Sequence, residues 1–319
     1  MHNQLVNELR LDLTISVVQP LLIRGQNEFG SDPTRPEIQC VRTGGVVYLP
    51  GTSLRGMLRQ HVERINRTLE GAVWSCNPLG DRSERNTGDG TRYSCNAFFK
   101  SKGTPVPPAT EIYRESCTTC RLFGNRYLAS RISIADAYPN AEVITENRHT
   151  VAIDRVLGEA IPASKSAFEV IMAGSFETVL TLKNFTLGQF GLLAIVLRDL
   201  QTGQLRLGAG RSRGLGQIKA DVTHFSLRYP ACRLHGDQLE LLNGRRIGCA
   251  DQLYGAGALS PLAKDYFLSP DDRTPLPEHL HYTEDIWRGV ELILQNDIDQ
   301  TALWRCGVER WRMEVANEK

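Results

Sequence analysis

The sequence predicts an α+β protein built around an antiparallel sheet, and two kinds of periodicity support this fold class. Residues 9–18, 167–182 and 217–222 alternate apolar and polar side chains, which is typical of half-buried strands. Helical character appears in the segment that follows Pro50 and in residues 187–203. The order strand, helix, strands, strand, helix, strand is typical of helices packed against an antiparallel sheet.

Composition describes an ordinary globular chain rather than a strongly basic or membrane-embedded one. The chain has 319 residues, 41% hydrophobic residues and a formal net charge of +1. Any affinity for nucleic acid must therefore come from local basic segments. No apolar run reaches the length of a membrane span, and the N-terminus lacks the layout of a signal peptide. These features predict a cytoplasmic protein without a membrane partner, in which eight cysteines indicate metal binding rather than disulfides.

The first junction of interest is GVVYLPGTSLRGMLR at residues 45–59. An apolar strand halts at Pro50 and Gly51, and Thr52 or Ser53 is predicted to cap the helix that follows. Free N–H groups at such a helix start can bind an anion. Arg55 and Arg59 lie beside this start, although many junctions of this kind bind no ligand. The apolar face of the helix is predicted from Leu54, Met57, Leu58 and Val62.

The region from residue 74 to 116 is irregular and carries a set of cysteines in or beside it. Zn²⁺ prefers four soft ligands in a tetrahedron, and binding one would order an insertion that is poor in apolar residues. A redox C-x-x-C motif and unrelated small residues are the alternatives, and His61 could replace one cysteine as a ligand. The predicted zinc ligands are Cys76, Cys95, Cys117 and Cys120.

A glycine-rich basic loop, GAGRSRGLG at residues 208–216, contains no acid. Glycines let main-chain N–H groups approach a bulky ligand, and arginines add charge-assisted bonds to phosphates. A second acid-free stretch, CRLFGNRYLASR, interleaves arginines with aromatic residues, a combination that suits single-stranded nucleic acid. A plain turn is the alternative for the loop. The nucleic-acid-binding residues predicted here are Gly208, Gly210, Arg211, Ser212, Arg213, Gly214, Arg121, Arg126 and Arg131, with Ser53, Arg55 and Arg59 at the helix start.

Beyond Phe225 the composition shifts. The segment TEDIWRGVELILQND is predicted to be helical, and a tryptophan-bearing end follows it. Trp287, Trp304 and Trp311 are predicted to pack in the core, with a docking surface for a neighbouring subunit as the alternative.

The ordered set YLPGTSLRG, CRLFG, SRISIADA, AIDR, AGSF and LGAGRSRGLGQIK resembles the RAMP superfamily, and more closely the backbone subunits of type III CRISPR effector complexes. The resemblance runs over about residues 9–221. It implies an RRM-like (ferredoxin-like) antiparallel palm with a β-hairpin thumb and a zinc-bound insertion. The implied division is a palm at 1–225, with the insertion at about 70–120 and the thumb at about 147–166. Residues 226–319 lie outside the resemblance and are predicted from their own sequence to form a helical C-terminal extension.

The resemblance also implies partners: a CRISPR guide RNA, the target RNA and other RAMP subunits of a ribonucleoprotein for antiviral defence. The glycine loop and the helix start would bind guide phosphates. The thumb would push between bases, with Arg148 and Arg155 on phosphates and an apolar wedge between them, although a plain surface hairpin has the same composition. The wedge consists of Val151, Ile153, Val156 and Leu157.

In the family that this sequence resembles, cleavage of target RNA relies on one aspartate after the first strand, and Asp32 is the counterpart here. A carboxylate there could bind a divalent ion such as Mg²⁺ and promote attack by the 2′-hydroxyl. Pro33 follows Asp32 directly, which departs from the family pattern; Glu28 and Glu37 are lesser candidates. The alternatives are a non-catalytic scaffold and a guide-processing endoribonuclease with a histidine-centred site. His149, at the base of the thumb, is poorly placed for the latter.

Overall fold

A computed structural model describes residues 3–25, 36–69, 74–78, 92–103, 105–162 and 164–317. The helices are α1 (Gly51–Asn66), α2 (Cys95–Ser101), α3 (Ala109–Glu115), α4 (Thr118–Phe123), α5 (Leu187–Gln201), α6 (Ala256–Leu259) and α7 (Asp297–Asn317). The strands are β1 (Glu8–Val17), β2 (Arg42–Thr43), β3 (Val46–Val47), β4 (Cys76–Asn77), β5 (Arg92–Tyr93), β6 (Ile132–Ile134), β7 (Tyr138–Pro139), β8 (Ile144–Thr150), β9 (Ser166–Ala173), β10 (Ser175–Lys183), β11 (Ile218–Tyr229), β12 (Cys232–His235), β13 (Gln238–Leu241), β14 (Arg246–Cys249), β15 (Gln252–Tyr254), β16 (Arg273–Pro275), β17 (Thr283–Asp285) and β18 (Gly289–Leu294).

The main sheet confirms the predicted α+β class with antiparallel pairing. Its strands follow the order β17-β18-β11-β1-β10-β6, and β7 pairs with β10 beside β6. Neighbouring strands along this path run antiparallel. Along the chain the central part reads β1, α1, β6, β10, α5, β11, so α1 and α5 each connect strands of one sheet.

The core lies between the sheet and the helices. On β1, Leu9, Leu11, Leu13 and Ile15 are buried, whereas the residues between them are more exposed. α5 is apolar around most of its circumference because α7 covers the side that does not face the sheet. Each fully buried aliphatic side chain of this core contributes about 1.5–3 kcal/mol.

Two glycines allow α7 to lie close against α5. A Cβ on Gly191 would stand 2.0 Å from the carbonyl oxygen of Gly307, and one on Gly307 would stand 2.3 Å from the ring of Phe190. Trp304 of α7 stacks on Phe190 with ring centres 4.9 Å apart. The predicted core position of Trp304 is thus confirmed, and Trp311 is partly buried against the same core.

The helix predicted at residues 283–297 is wrong: this segment forms the β17–β18 hairpin before α7 begins. β18 buries Val290, Leu292 and Leu294 with a period of two along β11. The exposed edge of β11 supplies hydrogen-bond partners to this apolar run, so sheet pairing prevails over local helical propensity. The core position predicted for Trp287 is also wrong, since this side chain is 90% exposed at the hairpin tip.

The C-terminal segment is not separate from the sheet. β11 runs through residue 225, where the composition shifts, and β17 and β18 extend the same sheet beyond it. Residues 226–317 contain seven strands besides α6 and α7, so the extension is mixed rather than helical. No helix in the described ranges has both the length and the apolar character to cross a membrane.

Candidate nucleic-acid interface

The glycine loop lies against the chain that follows β1, and this close approach requires a glycine at position 208. Gly208 has φ +80°, and a Cβ there would stand 2.2 Å from the carbonyl oxygen of Leu22. The N–H of Ala209 donates to the same oxygen at 2.8 Å, and the N–H of Gly216 donates to Pro20 at 2.7 Å. The loop is therefore fixed on its inner side, while the 3-10 turn Arg211–Arg213 is exposed.

The arginines of this loop reach toward α1. Arg211 donates from Nη1 to Oε1 of Gln60 at 2.6 Å, and Arg206 donates to the carbonyl oxygen of Arg211 at 2.8 Å. Arg213 is exposed on the same turn. These bonds hold the loop beside the second half of α1 and leave its guanidinium groups at the surface.

A groove of about 710 Å³ separates α1 from the glycine loop, and we name it the α1 groove. Among the described residues, three arginines and one histidine line it, and no carboxylate does. Clustered cations without compensating acids produce a positive potential that attracts polyanions. The lining residues are Met57, Gln60, His61, Arg64, Gln204, Leu205, Arg206, Arg211 and Ser212.

Sequence reasoning did not assign Gln60 and Arg64 to this surface. With Met57 and His61 they follow the spacing i, i+3, i+4, i+7, which marks one face of a helix. That spacing was the available signal, but it identifies a surface only when the element opposite is known. The groove thus depends on a contact between α1 and a loop about 150 residues away.

His61 belongs to this groove and not to the cysteines. Its Nε2 lies 2.6 Å from Oδ2 of Asp199 on α5. The suggestion that His61 replaces a cysteine ligand is therefore wrong, because the four cysteines meet one another while His61 pairs with α5. Asp199 orients the imidazole toward the α1 groove.

Three arginines predicted to bind RNA are instead engaged with main-chain carbonyls. Arg55 donates to the carbonyl oxygen of Phe123, and Arg59 donates to Gly124 at 3.1 Å and to Glu63 at 2.9 Å. Arg121 donates to the carbonyl oxygens of residues 113 and 114 at 3.1 and 2.7 Å. The bonds of Arg55 and Arg59 tie α1 to the cysteine-bearing segment, and those of Arg121 join α4 to α3 within it, so their first role is structural.

Arg131 is buried and does not reach a surface. It is 3% exposed, and its guanidinium lies 4.8 Å from the ring centre of Tyr113. Burial lowers its pKa. A phosphate backbone has no access to this side chain, which corrects its assignment as an RNA contact. Arg126 in the same stretch is exposed.

The helix start at Gly51 already holds an anionic partner from the protein. The N–H of Gly51 donates to Oδ1 of Asp136 at 2.7 Å, and the N–H groups of Ser53 and Leu54 donate to the carbonyl oxygen of Pro50. Pro50 is the N-cap, so the cap predicted at Thr52 or Ser53 is wrong. The predicted phosphate site at this start is occupied by a carboxylate, and Ser53 is half-buried beside it.

The β8–β9 hairpin, in which the thumb was predicted at about 147–166, presents an exposed apolar tip. Val156 is 91% exposed and Leu157 is 72% exposed. Their N–H groups both donate to Oδ1 of Asp154, at 2.7 and 3.0 Å, which fixes the turn. Arg155 is exposed in this turn, and Arg148, half-buried at the base, contacts the sulfur of Met172 at 3.4 Å.

The four cysteines meet in a buried cluster of a kind that can hold a metal such as zinc. Their sulfur atoms all lie within 4.8 Å of one another. Sγ of Cys76 and Sγ of Cys120 are 3.7 Å apart, too far for a disulfide. Zn–S bonds of about 2.3 Å in a tetrahedron place sulfurs about 3.8 Å apart. The N–H groups of Cys117 and Cys120 and the guanidinium of Arg59 also donate to sulfurs of the cluster, which favours thiolates.

Asp32, together with Glu28, lies outside the described residues. Glu37 is exposed, and its carboxylate accepts a hydrogen bond from Oγ of Ser166 at 3.0 Å. This bond places the end of the loop that follows β1 at the base of the β8–β9 hairpin.

Comparison with known proteins identifies a family. The family model of the RAMP superfamily matches residues 14–219, which is more than half of the chain. This range includes the α1 groove, the cysteine cluster and the β8–β9 hairpin, and it ends after the glycine loop. No curated protein matches the chain. The chain therefore belongs to the RAMP superfamily, and this membership implies a CRISPR-associated protein that binds RNA in complexes with other subunits.

Proposed function

We propose that this chain is a guide-RNA-binding backbone subunit of a type III CRISPR effector complex. The observation that carries the proposal is the α1 groove, a carboxylate-free basic surface within the described residues that match the family. The guide backbone lies along this groove and over the exposed turn Arg211–Arg213. Arginine and main-chain N–H contacts to phosphates position RNA without reading its sequence.

The strand order supports an RRM-like palm. Numbering β1, β6, β10 and β11 as the four strands of a βαββαβ unit gives the sheet order 4-1-3-2, which is the ferredoxin-like arrangement. We accordingly assign residues 1–225 to the palm, with an insertion at about 70–120, a thumb at about 147–166 and an extension at 226–319. In the thumb, Val156 and Leu157 form the wedge that interrupts base pairing, with Arg155 on the backbone.

The cysteine cluster is proposed to bind structural zinc. Cys76, Cys95, Cys117 and Cys120 supply the four thiolates of a closed tetrahedral site, which leaves no open position for catalysis. The ion would hold α2 and α4 against α1, where Arg59 already contacts Cys120.

The test of RNA binding is a salt titration of guide-RNA affinity. The double substitution Arg211→Ala and Arg213→Ala should weaken binding and reduce the slope of log Kd against log salt by about 0.7 for each phosphate that is no longer bound. Arg246→Ala is the matched control, because this exposed arginine lies on β14, outside the matched residues. Identical slopes for wild type and the double variant would contradict the proposed RNA path.

Metal-dependent cleavage of target RNA by Asp32 is the catalytic form of this proposal, and a non-catalytic scaffold is the other. Reconstituting the complex with guide and labelled target RNA, with and without Mg²⁺, distinguishes the catalytic form from the scaffold. Disappearance of one cut on Asp32→Ala supports catalysis by this chain. An unchanged fragment pattern supports the scaffold.

A guide-processing endoribonuclease is a second candidate, favoured by His61 of the α1 groove and its partner Asp199 on α5. A histidine oriented by a carboxylate beside three arginines has the parts for proton transfer during attack of a 2′-hydroxyl on its phosphate. His61→Gln should then abolish cleavage of precursor RNA by the isolated chain while RNA affinity is retained. His149→Gln, on β8, is the control.

A further inference from the structure

The tip of the β17–β18 hairpin presents two large apolar side chains to solvent. Ile286 is 91% exposed and Trp287 is 90% exposed. Oδ1 of Asp285 accepts the N–H groups of Trp287 and Arg288, both at 2.8 Å. Arg288 in turn donates to Glu291 at 2.5 Å and to Ser226 at 2.9 Å. The hairpin holds the two side chains in place without covering them, and we name this feature the Trp287 knob.

A second surface feature lies between α5 and α7 and has the opposite shape. This groove, the α5–α7 groove, has a volume of about 570 Å³. Its apolar lining comes from both helices and includes the edge of Trp304. Its size lies in the range of pockets that enclose a drug-sized molecule, so an indole fits. The apolar lining consists of Ala194, Ile195, Trp304 and Val308.

The rim of the α5–α7 groove is basic. Arg198, Arg305 and Arg312 are exposed, and within the described ranges their guanidinium groups form no hydrogen bond or ion pair. Of the two carboxylates in the lining, Asp199 is engaged with His61, and Glu309 is exposed on α7, so the rim keeps an excess of positive charge. The rim therefore favours an occupant that combines an apolar or aromatic body with negative charge.

The Trp287 knob has this composition. Glu284 and Asp285 immediately precede Ile286 and Trp287. Arginine side chains bind an indole face through cation–π contacts, and they pair with flanking carboxylates. We propose that the Trp287 knob of one copy inserts into the α5–α7 groove of a second copy of this chain. Both features lie largely or wholly beyond the family match at 14–219, so this contact is a property of the C-terminal segment and does not depend on the proposed function.

The contact is heterologous, because a knob meets a groove rather than a second knob. The knob is exposed in its own chain, so it does not occupy its own groove. Each bound copy retains one free knob or one free groove, which extends the association head to tail. Two side chains of this size bury a few hundred Å² on one partner, less than the roughly 800 Å² per partner of a standard interface, so the affinity is modest.

The test uses sedimentation velocity of the full chain without RNA across a wide concentration range. Wild type should show concentration-dependent association. Trp287→Ala should weaken it by about 30-fold or more, as expected for a central tryptophan anchor. Arg305→Glu with Arg312→Glu should weaken it from the groove side. Leu242→Ala is the matched control, because Leu242 is 64% exposed at another turn and its variant should associate as wild type does.

The decisive arm mixes the two defective variants. The knobless Trp287→Ala chain keeps its groove, and the doubly charge-reversed chain keeps its knob, so the mixture should form one-to-one dimers and nothing larger. Circular dichroism of each variant excludes misfolding as the cause of weakened association. A monomeric wild type at all concentrations, or a mixture that does not pair, overturns the proposal. If wild type is monomeric and the charge-reversed variant binds RNA more weakly than wild type, the α5–α7 groove binds RNA instead of a second copy.

Discussion

Gly208 and Gly214 have nearly the same backbone conformation, with φ +80° and +81°, but different surroundings. A Cβ on Gly208 would overlap the carbonyl oxygen of Leu22, whereas a Cβ on Gly214 has open space around it. The pair separates two reasons for a glycine in the basic loop: the left-handed conformation, common to both, and the close approach, present at Gly208 and absent at Gly214.

Alanine substitution at these two positions should therefore cost different amounts of stability. Gly214→Ala should cost about 1–2 kcal/mol from the left-handed conformation alone. Gly208→Ala should cost about 1–3 kcal/mol more, because the loop must move away from Leu22. Chemical denaturation measures both free energies of unfolding. Equal values for the two variants would show that the contact with the chain after β1 does not constrain the loop.

At the scale of elements, strand β9 is tied to the β2–β3 hairpin by one charged group. Glu169 of β9 accepts hydrogen bonds from Arg42 at 2.7 Å and from the N–H of Cys40 at 3.0 Å. Burial raises the pKa of Glu169, but these hydrogen bonds and the charge of Arg42 outweigh burial, so the pKa is lowered from its usual value. The carboxylate form thus stabilises the folded chain.

This shift gives a pH dependence with a definite sign. A carboxyl group with a lowered folded-state pKa contributes its full stability above the unfolded pKa of about 4.3, and that stability disappears as the pH falls through the folded value. Glu169→Gln should cost about 1–3 kcal/mol at pH 7 and less at acid pH. Urea denaturation between about pH 7 and pH 3 measures the free energies of unfolding of the variant and of wild type, and hence their difference at each pH. Glu142→Gln, at an exposed position before β8, is the matched control.

At the scale of the whole molecule, the cysteine cluster joins parts of the chain that are far apart in sequence. It packs with Phe99, Ile112 and Tyr113 in a small core separate from the main one. A proposed zinc ion would supply much of the ordering free energy of this insertion, since apolar burial there is limited. The main sheet has its own core and should survive removal of the ion.

Metal analysis of the purified chain should find about one equivalent of zinc. Cys117→Ser, or a strong chelator, should remove it and destabilise the insertion by several kcal/mol. Limited proteolysis should then cut the insertion first. Cys249→Ser is the matched control, because Cys249 is exposed and outside the cluster. Full zinc content in Cys117→Ser would exclude the four-cysteine site.

Local signals in the sequence were sufficient for several features of this protein. Alternation along residues 9–18 and 217–222 predicted the central strands, because the period of side-chain burial in a strand is a local property. The ordered motifs identified the RAMP superfamily, and four cysteines in an irregular segment indicated a metal site. Glycines with two arginines and no acid marked the basic loop.

Tertiary structure alone decided which charged groups are available. Asp136 reaches the helix start from 85 residues away, and Phe123 holds Arg55 from 68 residues away. The segment around Val290 became a strand because the edge of β11 lies beside it. A local sequence pattern gives the type of a side chain, but its surroundings are set by long-range packing, which buries Arg131, holds Arg55 on Phe123 and leaves Arg213 exposed.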